Sequence, residues 1–166
     1  MIHQVSGDIL LSRAHVIAHG VAPNDPMTQG LALQLREKYP AMQKDFHHWC
    51  SQKHPKPGEA WMWGGTGGIR IVNLLTQEGG YGPGARPEKA TLKNVRDALR
   101  ELVAMADKEG FTSLALPRLA TGVGELDWGH VWPVIQERLG ALTIPVFVYT
   151  EYHAGRKANE PGAPTT

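Results

Sequence analysis

The chain is short of cysteine, of charge imbalance and of long apolar runs, and each shortage excludes something. Cys50 stands alone, so no disulfide can form within the chain and the fold must be held by its core. Lys and Arg number 17 against 16 Asp and Glu, a net charge of +1. That balance gives no field for long stretches of nucleic acid or for an anionic membrane surface; a small local basic pocket stays compatible with it. No apolar run approaches the roughly 20 residues of a membrane-spanning helix. The first residues lack the basic, apolar, small-residue order of a secretion signal. The expectation is a soluble, cytoplasmic protein. No internal repeat is visible, and 166 residues with 42% hydrophobic content suit one domain.

What is present centres on residues 114–128, LALPRLATGVGELDW. A short apolar run ends at Pro117. A loop of small residues follows: Ala120, Thr121, Gly122, Val123 and Gly124. Asp127 is a good N-cap, and Val131, Ile135 and Leu139 recur at helical spacing. Strand, glycine loop and helix start suit an anion. Main-chain amides can converge where no Cβ intrudes, and the helix start adds partial positive charge. An ordinary tight connection between strand and helix would look the same. Gly122-Val123-Gly124 lacks the third glycine of the dinucleotide fingerprint, and no Gly-Lys-Ser/Thr follows, so Walker-type nucleotide hydrolysis is unsupported.

The rest of the chain alternates strands with helices. Residues 2–5 read as a first strand ending at the Ser6-Gly7-Asp8 turn, and residues 14–21 (AHVIAHGV) as a buried strand. Residues 22–30 (APNDPMTQG) form an irregular polar loop, a candidate binding loop. Thr28 is placed to cap the helix carrying Leu31, Leu35 and Tyr39. Pro40 ends that helix and opens another through Met42, Phe46, Trp49 and Cys50. Residues 59–63 and 69–75 read as strands with a GGTGG turn between them. Residues 79–88, with four glycines and two prolines, are expected to be mobile. Leu92, Val95, Leu99, Leu102, Val103 and Ala106 draw the strongest amphipathic helix. Pro133 must fall in the first turn of the next helix or kink it. Residues 145–150 (PVFVYT) are a last buried strand. Residues 154–166 are polar, with two prolines, and are expected to be a disordered tail after a domain spanning 1–153. The class is α/β, and the suspected cradle lies at the carboxyl end of a strand, where open α/β sheets bind ligands.

Four pieces now carry a resemblance. They are Gly7-Asp8-Ile9; Ala18-His19 with the loop ending Gly30-Leu31-Ala32; residues 71–76 with Lys89-Ala90-Thr91; and Leu116-Pro117-Arg118 through Gly122 to Trp128. In this order and spacing the chain resembles a macrodomain, over about residues 1–152. Within that family it is most similar to the terminal ADP-ribose protein glycohydrolase branch. The resemblance implies a three-layer α/β/α fold with a mixed sheet of about six strands. The expectation is a monomer with no cofactor and no metal. Its partner would be ADP-ribose, or an ADP-ribosylated protein or, as the weaker case, DNA. Asp8 would accept from the adenine amino group and Ile9 would contact the ring. The backbone of Ala120, Thr121, Gly122, Val123 and Gly124 would hold the diphosphate. Asn24, Asp25 and Gly30 would surround the distal ribose.

The pattern also departs from that branch. Its relatives attack the distal ribose with a lysine just after the strand at 71–75, where this chain has Gln77. Their catalytic aspartate sits in the glycine loop, where this chain has Gly124. An amide is no nucleophile. Lys89, at a helix start, is no substitute. Hydrolysis therefore needs a positioned water. Asp25 is the candidate base, Asn24 the group that orients sugar hydroxyls and His19 a proton carrier. Glu78 and Tyr81 are placed to close over the site from their loop. Two functions follow: a hydrolase removing a substituent from the terminal ribose, or a reader that binds ADP-ribose without turnover. The substituent could be phosphate, acetate, a protein side chain or a nucleobase. His47, His48, Cys50 and His54 suggest metal ligands by type. Yet Cys50 shares a face with Phe46, and adjacent His47 and His48 point apart. Trp61 and Trp63 are expected to cover the core edge.

Overall fold

The structure is a computed structural model that describes residues 1–163. Its centre is a six-stranded sheet in the order β1-β6-β5-β2-β4-β3. The strands are β1 (Ile2–Gly7), β2 (Val16–Val21), β3 (Ala60–Gly64), β4 (Arg70–Leu75), β5 (Leu114–Pro117) and β6 (Val146–Tyr152). All neighbours run parallel except β3, which pairs antiparallel with β4. The sheet is therefore mixed, with the antiparallel strand at an edge. The inner strands, buried on both faces, are the apolar runs read from the sequence.

Helices α1 (Gly30–Lys38) and α2 (Pro40–Lys53) cover one face of β2 and β4. Helices α3 (Leu92–Glu109) and α4 (Trp128–Leu139) cover the other face of the sheet. The α3 stripe is as expected: Val95, Leu99 and Leu102 are fully buried, each contributing about 1.5–3 kcal/mol. Thr91 caps it by accepting from the Asn94 amide at 3.1 Å, and Gly110 closes it in the left-handed conformation. Helix α1 differs in detail. It begins after Gln29 with no side-chain cap, so Thr28 lies one residue too early to cap it. Pro133 lies beyond the first turn of α4, which runs on through it to Leu139. Trp61 packs on Trp49 and Phe46, and Trp63 on Tyr39, at the sheet edge beside α2.

The C-terminal segment departs from expectation. Residues 154–163 are not a loose tail but lie along the start of the chain. The Asp8 amide donates to the Arg156 carbonyl at 2.7 Å, and the His153 amide to the Gly7 carbonyl at 3.1 Å. Glu160 accepts from the Ser12 hydroxyl at 2.6 Å, the Arg13 amide at 2.9 Å and the Tyr149 hydroxyl at 2.7 Å. A Cβ on Gly7 would meet the Arg156 carbonyl at 2.8 Å, so this crossing needs a glycine. The physical reason is the sheet face formed by Ala115, Phe147 and Tyr149. Helix α1 reaches it only through Leu31, and Ala158 and Ala163 pack there as well. Residues 164–166 of that expected tail lie outside the described residues.

Candidate functional site

The connection leaving β2 runs through α1 and α2 on one face, and the connection leaving β5 through α4 on the other. Neighbouring strand ends whose chains part in this way open a crevice. Here it is a cleft of about 530 Å³, of the size that holds a small ligand. Its floor is His19 and Gly20 at the end of β2. Its walls are Asp25, Pro26, residues 28–32, Gln77, residues 85–87, residues 117–120 and residues 122–124.

The glycine loop is shaped by its own backbone. Leu126 donates to the Ala120 carbonyl at 2.9 Å and Glu125 to the Gly122 carbonyl at 3.0 Å. Ala120 and Glu125 both take positive φ, at 62° and 60°. Within this turn the amides of Thr121, Gly122, Val123 and Gly124 donate to no acceptor among the described residues. Consecutive unpaired amides in a turn of this kind form an anion-binding concavity. Gly124 is tightly enclosed. A Cβ there would meet the Ala120 carbonyl at 2.7 Å and the Ala90 Cβ at 2.9 Å. A carboxylate side chain at 124 does not fit this backbone.

The binding loop is held by Asp25. Its two oxygens accept from the Ala22 amide at 2.9 Å and the Met27 amide at 2.8 Å. Burial raises its carboxyl above the ordinary range, and these two hydrogen bonds oppose that. Asp25 still borders the cleft, as does Gly30, which takes a positive φ of 59°. Asn24 does not. Its amide nitrogen donates to the Cys50 sulfur at 3.3 Å and its side-chain oxygen is buried without a partner. That sulfur contact and the burial of Cys50 turn it inward, away from His47 and His48.

His19 is a core group at the cleft floor. Its Nε2 meets the Asn73 Oδ1 at 2.6 Å, while the Asn73 amide nitrogen points to the Met42 sulfur at 3.6 Å. That arrangement puts the ring proton on Nε2. Nδ1 is sealed and unpartnered. Burial lowers the ring to about 4, outweighing the Asn73 hydrogen bond that raises it, so His19 is neutral at pH 7. Neither nitrogen is placed to carry a ligand's proton.

Asp8 stands apart from the cleft. Its oxygens accept from the Leu10 amide and, across the chain, from the Gly155 amide, each at 3.0 Å. Ile9 is buried beside it in the short turn 9–11. The loop residues expected to close over the site are tied elsewhere. Glu78 accepts from the Asn94 amide group at 3.1 Å. The Tyr81 hydroxyl donates to the Pro55 carbonyl at 2.7 Å, and its ring stacks on His54. The sequence reading gave no role to two cationic lining residues, Arg86 and Arg118. Arg118 lies over the Trp128 ring at 5.4 Å. Its place directly after a strand's end was the available signal; Arg86 sat in a loop with no periodicity to read.

Fold and crevice define a three-layer α/β/α domain with an anion-competent pocket at the strand ends. More narrowly, the Macro domain family model matches residues 18–135, and the chain belongs to that family. It is 28% identical over 159 residues to a DNA ADP-ribosyl transferase–DNA ADP-ribosyl glycohydrolase fusion protein of Thermosipho africanus, covering 87% of this chain and 40% of that protein. It thus spans well under half of that relative. It is 26% identical over 150 residues to the human ADP-ribose glycohydrolase OARD1, covering 90% of this chain and 91% of the relative. Among solved structures, the macrodomain of Thermus aquaticus DarG superposes with a TM-score of 0.79 at 26% identity, covering 90% of this chain and 98% of that one.

Proposed function

We propose that the crevice binds the ADP-ribose part of an ADP-ribosylated substrate and that the chain hydrolyses the bond between its terminal ribose and the attached group. The observation that supports this most is the run of unpaired amides from Thr121 to Gly124, which suits a diphosphate. The names of the relatives, glycohydrolases of ADP-ribosylated DNA and of ADP-ribose, support the reaction class.

In the reaction, water adds to the anomeric carbon of the terminal ribose and the bond to the leaving group breaks. One water proton passes to a base, and the leaving group gains one. Asp25 is the group best situated for the base. The test is turnover of ADP-ribosylated DNA, mono-ADP-ribosylated protein and ADP-ribose-1″-phosphate by the wild type and by Asp25→Asn. We expect the variant to lose about 100-fold or more in rate at saturating substrate, beyond any weakening of ADP-ribose binding that follows from Asn keeping only one of the two acceptors that hold the loop. Equal rates would remove Asp25 from the mechanism.

A second reading, a reader without turnover, is favoured by two observations. Gln77 offers no nucleophile, and the space around Gly124 admits no carboxylate. ADP-ribose binding by a wild type inactive on all three substrates would establish it.

A further inference from the structure

We propose that the side-chain carbonyl of Gln77 is the acceptor that fixes the sugar at the inner end of the crevice, so that the site selects a sugar-terminated diphosphate over a bare one. This rests on the reading that the crevice takes ADP-ribose.

Gln77 follows β4 and is held firmly. Its amide donates to the Val21 carbonyl at 3.3 Å, and its backbone bridges to Ala90. Ala90 in turn donates to the Gly124 carbonyl at 3.0 Å, so Gln77 and the glycine loop share one support. The side chain is polar yet only 5% exposed, and it borders the cleft beside His19, Gly20 and Asp25. Its Nε2 donates to the Glu88 carbonyl at 3.1 Å. A main-chain carbonyl only accepts, so the nitrogen must face Glu88. That leaves Oε1 as a fixed acceptor, with no donor among the described residues and not among the sealed, unpartnered atoms.

The other polar groups at this end already have protein partners, although each Asp25 oxygen keeps a second lone pair. The Asp25 oxygens serve the Ala22 and Met27 amides. His19 Nε2 serves Asn73, and its Nδ1 is sealed. An unpaired acceptor in a partly dry cleft is costly unless a ligand or water supplies a donor. A ribose hydroxyl supplies one. An ionised terminal phosphate presents only acceptor oxygens and offers Oε1 no donor. Oε1 therefore discriminates by chemistry as well as by shape.

Calorimetry with ADP-ribose and with ADP tests this on wild type, Gln77→Leu and Gln77→Asn, with thermal melting as the folding check. Leu removes the acceptor; Asn keeps an amide but withdraws it by one methylene. We expect either variant to bind ADP-ribose roughly 5–10-fold more weakly, with ADP affinity within about twofold of wild type. If the Leu variant fails to fold, the Asn variant decides. An unchanged ADP-ribose to ADP ratio overturns the inference while leaving the binding reading intact. So does an equal loss for both ligands, which would mark a structural role. Wild type that binds neither nucleotide overturns the parent reading and the inference with it.

Discussion

At the scale of single residues, the site is governed by which polar atoms are already in use. His19 is the clearest case. Its ring is neutral because the core around Asn73 and Met42 gives a charge no solvation. The consequence is a pH dependence of stability. The folded ring titrates at about 4 and the unfolded ring near 6.5, so the unfolded chain binds more protons between those values. Stability attributable to His19 is complete above pH 6.5 and is lost as pH falls towards 4, by on the order of 3 kcal/mol. Urea denaturation across that range should show the loss, and His19→Gln should remove this component; a His19→Gln curve with the wild-type slope would contradict it. The sequence reading reached Gln77 and Gly124 as departures from the family pattern and took His19 for a proton carrier, where the structure shows a core group. It could not see that both Asp8 and Asp25 spend their oxygens on main-chain amides. Those partners lie in turn geometry, and in one case 147 residues away, where no local pattern reports them.

At the scale of elements, the periodic ones were legible and the aperiodic ones were not. Helix α3 follows from its stripe and its Thr91 and Gly110 caps, because burial of one helical face leaves a repeat in the sequence. The C-terminal segment leaves none. It covers the face of Ala115, Phe147 and Tyr149 with two alanines, and it is fastened by one carboxylate. Polar composition with prolines reads as disorder, although here it closes a sheet. Glu160→Ala should therefore destabilise the fold by about 1.5–3 kcal/mol, since two partly buried hydroxyls and an exposed main-chain amide lose a charged acceptor. A shift of the urea midpoint checks this; a midpoint within error of wild type would mean that the segment detaches without cost. The loop 79–88 teaches the same lesson in reverse. Its glycines and prolines suggest mobility, yet Glu78 and Glu88 pair across its base and Tyr81 pins it to Pro55.

At the scale of the molecule, the pocket exists because β2 and β5 are neighbours whose chains leave to opposite faces. Composition and periodicity predict strands but not their order, since strand order is decided by contacts distant in sequence. The family resemblance supplied that architecture where local reading could not. What the molecule then adds is a row of main-chain amides at one strand end, held open by a glycine that has no room to be anything else. Everything proposed for this chain depends on an anion sitting there. An amide NMR titration with ADP-ribose tests that most directly. The resonances of Thr121, Gly122, Val123 and Gly124 should move furthest and saturate together with those of Gly30 and Gln77. Saturable shifts confined to other parts of the chain, or none at all, would contradict the account.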